Sequence, residues 1–188
     1  NEYIKAESYL GQSYWSLSKV QDTLVNCAKS IEYFNEILKT ISIETHPVEY
    51  ARIKNRIGNT YTAFAEVESR EENCLIAINA YNEALKVFSK RAYPQEYARA
   101  HNNLGGAYLI LAEVKDKTAN YKKAISSFEE ALMVEIIKES PKLYALTKNN
   151  IANTYARLSE IEDAESNLKR SIEAYNDVLA LQSKEKAP

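Results

Sequence analysis

The sequence is poor in the residues that mark several large classes of protein. Its 188 residues include only four glycines and four prolines, a composition that argues against a β-rich fold with many turns. Two cysteines are too few for a disulfide framework, so we expect a reducing, cytoplasmic compartment. No apolar run approaches the roughly 20 residues of a membrane-spanning helix, and the start lacks a signal-peptide pattern. The first residue is Asn1 rather than methionine, as expected for a fragment of a longer protein.

Motifs that carry chemistry are scarce as well. The two histidines, His46 and His101, stand far apart without metal-ligand spacing, and there is neither a glycine-rich phosphate loop nor a nucleophile elbow. Carboxylates such as Glu83 and Glu129 fall on helix faces that we expect to be solvated. The formal net charge of −2 offers no strong attraction for phosphate backbones or anionic lipid. We therefore predict that the chain is not an enzyme, needs no metal or cofactor, and binds neither nucleic acid nor membrane.

The chain is, however, strongly repetitive. Pro47, Pro94 and Pro141 are separated by 47 residues each time, and four copies of that length cover the chain without a gap. Five positions are identical in all four copies, which chance at one fixed spacing does not explain. In the third copy these positions are Tyr97, Tyr108, Asn120, Ile125 and Leu132.

Each copy contains two helical patterns. In the third copy, apolar residues recur at spacings of 7, 4 and 3 between Tyr97 and Leu111, which is one face of a helix. A second apolar face runs from Ala124 to Leu132. Pro94 comes just before the first pattern, where a missing N–H costs little. A hairpin of two such helices cannot bury both apolar faces alone, but stacking it on a neighbouring hairpin can.

These hairpins resemble the tetratricopeptide repeat, whose signature includes L-G-x2-Y in the first helix and A-x3-F-x2-A in the second. The first element occurs as Leu10-Gly11 with Tyr14, Ile57-Gly58 with Tyr61, Leu104-Gly105 with Tyr108, and Ile151-Ala152 with Tyr155. The second element is clearest as Ala124, Phe128 and Ala131. The repeat departs from the family in its length, 47 residues instead of the usual 34 or so.

The resemblance implies an all-α fold, a right-handed superhelical α-solenoid of four antiparallel helix-turn-helix repeats with about eight helices. It covers the whole chain. We therefore predict a single domain over residues 1–188, with repeats at 1–46, 47–93, 94–140 and 141–188.

Several recurring small or polar residues are predicted to serve the architecture. Gly11, Gly58 and Gly105 fall where the two helices of a hairpin should cross, and a residue without a side chain lets the backbones approach. The invariant asparagines (Asn26, Asn73, Asn120 and Asn167) come just before or at the start of the second helix, as caps or loop-fixing amides. Cys27 and Cys74 are predicted to be buried apolar residues, with a redox pair as the alternative.

In tetratricopeptide arrays the first helix of each repeat lines a concave groove. On the helix face beside the core positions, basic residues recur in the first three copies (the basic row: Lys5, Arg52 and Arg99). Asparagines recur next to them in the last three copies (the amide ladder: Asn55, Asn102 and Asn149). A carboxamide can pair with a peptide N–H and C=O together, and arginine binds carboxylates bidentately. The predicted peptide-binding residues are Lys5, Arg52, Asn55, Asn59, Arg99, Asn102, Asn149 and Asn153. The same amides could instead hydrogen-bond across to the adjacent repeat, and the sequence leaves both interpretations open.

Two functions fit this pattern. The first is a protein-interaction module that binds an extended peptide, acidic or C-terminal, in the groove. The second is a structural or regulatory scaffold arm of a larger protein that mediates self-association or intramolecular contacts. One apolar flank of the last helix, with Ile172, Tyr175, Val178 and Leu179, is predicted to be exposed, which favours a homodimer or contact with further repeats of the parent protein.

Overall fold

The computed structural model describes residues 2–134 and 140–185, with side chains described up to Leu181. Within these ranges the chain forms eight helices and no strand, which confirms the predicted all-α class. The helices are α1 (Glu2–Ser18), α2 (Thr23–Leu38), α3 (Pro47–Ala65), α4 (Arg70–Leu85), α5 (Pro94–Ala112), α6 (Lys117–Leu132), α7 (Pro141–Ser159) and α8 (Ala164–Glu185). Of the helices in this described part, none is long and apolar enough to cross a membrane.

Successive helices pack in pairs, and each pair is one copy of the sequence repeat. The pairs are α1 with α2, α3 with α4, α5 with α6, and α7 with α8. In the second, third and fourth copies the first helix has 19 residues and begins at the repeated proline. That residue suits the first helical position because its ring presets φ and the N–H it lacks has no intrahelical partner there.

The turn inside each hairpin contains a residue with left-handed backbone. Asp22, Ser69, Asp116 and Asp163 have φ between 41° and 46°, a region that aspartate tolerates better than most residues. The invariant asparagine four positions later donates its Nδ2 to the carbonyl just before this residue, as Asn26 does to Gln21 at 2.8 Å. The same bond recurs in the other three hairpins. These amides therefore fix the loop, as predicted, although the helix begins three residues before each asparagine.

The chain divides into two compact units, Asn1–Ala92 and Tyr93–Pro188. Their boundary falls at the predicted junction of the second and third repeats, so each unit contains two hairpins. The single domain over 1–188 remains a prediction.

In each unit the second helix of one hairpin is covered by the first helix of the next. In the first unit, Phe34 and Ile37 of α2 are fully buried and share a core with Ile53 and Ile57 of α3. The corresponding core of the second unit joins α6 to α7 and contains Tyr121, Ile125, Phe128, Ile151 and Tyr155. Both units therefore repeat one kind of contact between hairpins.

The two cysteines are buried, as predicted. Cys27 and Cys74 are both free thiols and both have no exposed surface. Burial raises the pKa of the Cys27 thiol, which keeps it in the unreactive protonated form. These properties fit the interpretation of the pair as small packing residues.

In the first three hairpins the point where the two helices cross has space for only one side chain. A Cβ atom built on Gly105 would lie 2.5 Å from the ring of Phe128, and the same closeness is found between Gly58 and Tyr81. A Cβ atom built on Gly11 would lie 2.6 Å from the ring of Phe34. The aromatic ring of the second helix therefore occupies the volume that a side chain of the first helix would need.

The two adjacent glycines of α5 allow a matched test of this packing. We expect Gly105→Ala to lower the free energy of unfolding by up to about 2 kcal/mol, since overpacking costs about 1–3 kcal/mol and alanine returns about 1 kcal/mol of helix propensity. Gly106 has nothing within 4 Å of its built Cβ, so Gly106→Ala should raise it by about 0.5–1 kcal/mol. Urea unfolding followed by circular dichroism measures both. Equal effects of the two substitutions would contradict the crossing model.

Candidate functional site

The first unit contains an open cleft between α1 and α3 with a volume of about 270 Å³. Each helix contributes four residues to its wall, and the lining consists of Ile4, Lys5, Ser8, Tyr9, Glu49, Arg52, Ile53 and Arg56. Because α1 and α3 are the first helices of successive repeats, the cleft lies between the elements predicted to line the groove.

The cleft carries an excess of positive charge. Lys5, Arg52 and Arg56 line it together with a single carboxylate, Glu49. Arg56 is half-buried and donates from Nη1 to both the hydroxyl and the carbonyl oxygen of Ser8. Burial, and after it the positive charge of Arg52, lowers the pKa of Arg56, although a guanidinium remains charged at neutral pH. Three cations and one carboxylate leave the cleft with a positive excess, which favours an anionic ligand.

An aromatic ring stands beside these charges. Tyr9 of α1 is 68% exposed, and Ile53 of α3 is buried at the base of the wall. Lys5 is exposed and forms an ion pair with Glu2 at 3.0 Å, one turn away on the same helix. The cleft therefore combines guanidinium donors with an apolar surface, an arrangement that can hold a carboxylate and an adjacent side chain.

Of the predicted basic row, Lys5 and Arg52 come together in this cleft. Arg56 also lines the cleft, although it was not among the predicted peptide-binding residues. Its position one turn beyond Arg52 on α3 was the available signal, because residues four apart lie on the same face. Arg99 of α5 is exposed in the second unit.

Asn102 departs from its predicted exposure, which is a correction. Its side chain is buried, and Oδ1 accepts hydrogen bonds from the hydroxyl of Thr147 at 3.0 Å and from Nδ2 of Asn150 at 3.3 Å, both on α7. This is the inter-repeat alternative for the amide. Ser8, the equivalent of Asn102 in the first copy, receives Arg56 in the same way. Ser8 and Asn102 therefore join the first helices of the two hairpins within their units.

Asn59 and Asn153 take part in a bond inside their own hairpins. Oδ1 of Asn59 accepts from the Tyr81 hydroxyl at 2.9 Å, and Oδ1 of Asn153 accepts from the Tyr175 hydroxyl at 2.5 Å. The sequence contained a signal for this pairing. The two copies that have phenylalanine in place of the tyrosine, Phe34 and Phe128, have Gln12 and Gly106 in place of the asparagine.

The two remaining amides, Asn55 and Asn149, are half-buried. Within the described residues, Oδ1 of Asn55 is inaccessible and has no hydrogen-bond partner. A buried acceptor of this kind is costly unless water or another group pairs with it. Asn55 lies one turn from Arg52 on α3 but is not among the residues that line the cleft.

A second cleft of about 360 Å³ lies in the second unit among α6, α7 and α8. Its cations already have partners, since Lys122 pairs with Glu162 at 2.7 Å and Arg170 donates to the Tyr155 hydroxyl at 3.3 Å. Its lining carries Lys122 and Arg170 against Glu129, Glu162 and Asp163, so it lacks the positive excess of the cleft between α1 and α3. Nowhere in the described part of the chain do three or more His, Cys, Asp or Glu side chains form a group that could hold a metal ion.

No protein-family model matches the chain, and a comparison with curated proteins gives no match. The likeness to tetratricopeptide repeats therefore rests on the residues of the four copies and on the hairpins that they form.

The structural role of Asn102 can be separated from that of Asn149, its equivalent in the fourth copy. We expect Asn102→Ala to lower the free energy of unfolding by about 1–2 kcal/mol, because the substitution leaves buried donors of α7 with one acceptor fewer. Asn149→Ala should change it by no more than about 0.5 kcal/mol, as is usual for a residue without a buried network. Thermal and urea unfolding measure both variants. An unchanged stability of Asn102→Ala would remove the inter-repeat assignment.

Proposed function

We propose that the chain is a protein-interaction module of tetratricopeptide-like repeats and that it binds an acidic segment of a partner protein in the cleft between α1 and α3. The proposal includes an α-solenoid arrangement of the four hairpins. The repeated contact between successive hairpins in both units supports that arrangement, because stacking of like units is how a solenoid grows.

The observation that carries the proposal is the pair of arginines on one wall of the cleft. Arg52 and Arg56 stand one turn apart on α3, and both line the cleft together with Lys5. Bringing a carboxylate between two like charges relieves their repulsion and adds charge-assisted hydrogen bonds. Tyr9 provides an aromatic surface for the side chain next to that carboxylate.

The ligand should be an extended peptide rather than a small molecule. The cleft is open along the two helices, and its walls are the exposed faces of first helices rather than an enclosed cavity. Of the predicted amides, Asn55 lies one turn from Arg52, but its Oδ1 is inaccessible and it does not line the cleft, so the proposed contacts are those of the arginines and Tyr9. Asn102 serves the contact between α5 and α7 and is left out of the proposed contact set.

The proposal involves no catalytic step, metal, cofactor or nucleic acid. We also propose a cytoplasmic location. The two free, buried cysteines support it, because thiols persist in a reducing compartment.

Selection from a random-peptide phage library, followed by fluorescence anisotropy on the selected peptides, tests the proposal. We expect acidic residues to be enriched and Arg52→Glu to weaken binding at least tenfold, since a charge-assisted hydrogen bond contributes about 1.5–3 kcal/mol and about 1.4 kcal/mol is tenfold in affinity. Added salt should weaken binding to the unaltered chain.

Arg91→Glu is the matched control. Arg91 is also exposed, it lies in the connection between α4 and α5, and its substitution changes the net charge by the same amount. Binding should stay within twofold of the unaltered chain. Selection without acidic enrichment, or equal weakening by Arg52→Glu and Arg91→Glu, would argue against a ligand site in this cleft.

A further inference from the structure

Two apolar surfaces form the contact between successive hairpins: a face of the second helix of one hairpin and a face of the first helix of the next. Each of these two surfaces, which we call halves of the contact, also occurs elsewhere in the chain without a covering helix. Within each unit, the second helix of the first hairpin has an apolar face that the first helix of the next hairpin covers. The structure makes this contact twice, between α2 and α3 and between α6 and α7. Within the described residues, an uncovered half lies on α8 and another on α1.

The uncovered face of α8 is defined by Leu168, Ile172, Tyr175 and Leu179, whose exposed fractions are 47%, 58%, 38% and 62%. One repeat earlier, α6 carries Tyr121, Ile125 and Phe128 at the first three of these positions, and none of them is more than 6% exposed. The difference arises because α7 packs on that face of α6. The predicted apolar flank of the last helix is thus exposed, except that Val178 is buried.

The uncovered face of α1 is the other half of the same contact. Tyr3 and Leu10 are 54% and 44% exposed, and Ala6 between them is exposed too. Their equivalents on α3 are Tyr50, Ile53 and Ile57, which pack on Phe34 and Ile37 of α2. On α3 the two isoleucines are only 3% and 6% exposed.

We propose that two copies of this chain associate head to tail, with α1 of one copy packed on α8 of another as α3 packs on α2. The second copy is the occupant that fits both surfaces, because one chain carries both halves of a contact that it already makes internally. Such a contact is heterologous, so each copy retains one free half for a further copy unless a ring closes.

This association is independent of the proposed peptide site. Although the cleft includes residues of α1, the residues of its uncovered face (Tyr3, Ala6 and Leu10) are not among those that line the cleft. A failure of peptide binding would therefore leave the association untouched, and the reverse also holds.

Two substitutions, one on each face, provide the test. Ile172→Glu blocks the α8 face, and Ala6→Glu blocks the α1 face without removing a packed side chain. Sedimentation velocity over a range from micromolar to submillimolar concentration gives the mass. We expect the unaltered chain to grow beyond its 21.4 kDa with concentration, and each variant alone to remain at that mass.

The decisive sample is an equimolar mixture of the two variants. Each still carries one intact face, and these faces are complementary, so the mixture should form a species of twice the monomer mass and nothing larger. Leu24→Glu serves as the control, because Leu24 is an exposed apolar residue of α2 outside both faces and the second and fourth copies already have glutamate there. This variant should associate like the unaltered chain.

Other outcomes would overturn the proposal. An unaltered chain that remains monomeric throughout shows that copies do not associate through these faces. An Ala6→Glu variant that dimerises by itself indicates a symmetric contact between two α8 helices instead. Circular dichroism of each variant establishes that it is folded, so a loss of association cannot be attributed to unfolding.

Discussion

The close approach of two helices at a glycine is the constraint on which the rest of this structure depends. In the first three hairpins a buried aromatic ring of the second helix lies against a glycine of the first, where a Cβ would come within 2.5–2.6 Å. Glycine costs about 1 kcal/mol of helix propensity relative to alanine, and the close packing of the ring offsets this cost. The fourth hairpin has Ala152 at this position, and its ring, Tyr175, is 38% exposed instead of fully buried.

The recurring polar residues of the first helices form hydrogen bonds of two kinds, within a hairpin and between successive hairpins. The amides of Asn59 and Asn153 accept from tyrosine hydroxyls and tie the two helices of a hairpin together. Ser8 and Asn102 accept from the next first helix of the same unit and tie hairpins to each other. Because these polar side chains are engaged in packing, the proposed function rests on the positive excess of the cleft rather than on the amide ladder.

The proposed self-association and the internal core rest on the same physics. A helix with one apolar face is stable in water only when another element packs on that face. In this repeat the packing element is the first helix of the next hairpin. Where α7 covers α6, a tyrosine, an isoleucine and a phenylalanine lose nearly all of their contact with water. The same positions on α8 keep it, so the free energy that would favour a further contact is still available there.

The sequence by itself determined the repeat, the class of fold, the residues at the helix crossings and the loop-fixing role of the invariant asparagines. These features follow from local periodicity and from recurrence every 47 residues, which a single chain displays four times. The tertiary structure alone decided which polar residues face solvent and which face another helix. The repeat pattern places Asn102 and Arg52 on the same face of the first helix of their repeats. In the structure Asn102 is buried against α7, whereas Arg52 lines a cleft. A helical period fixes the direction of a side chain to within a face, whereas burial depends on the neighbouring helix, whose position is set by long-range packing that no local pattern encodes.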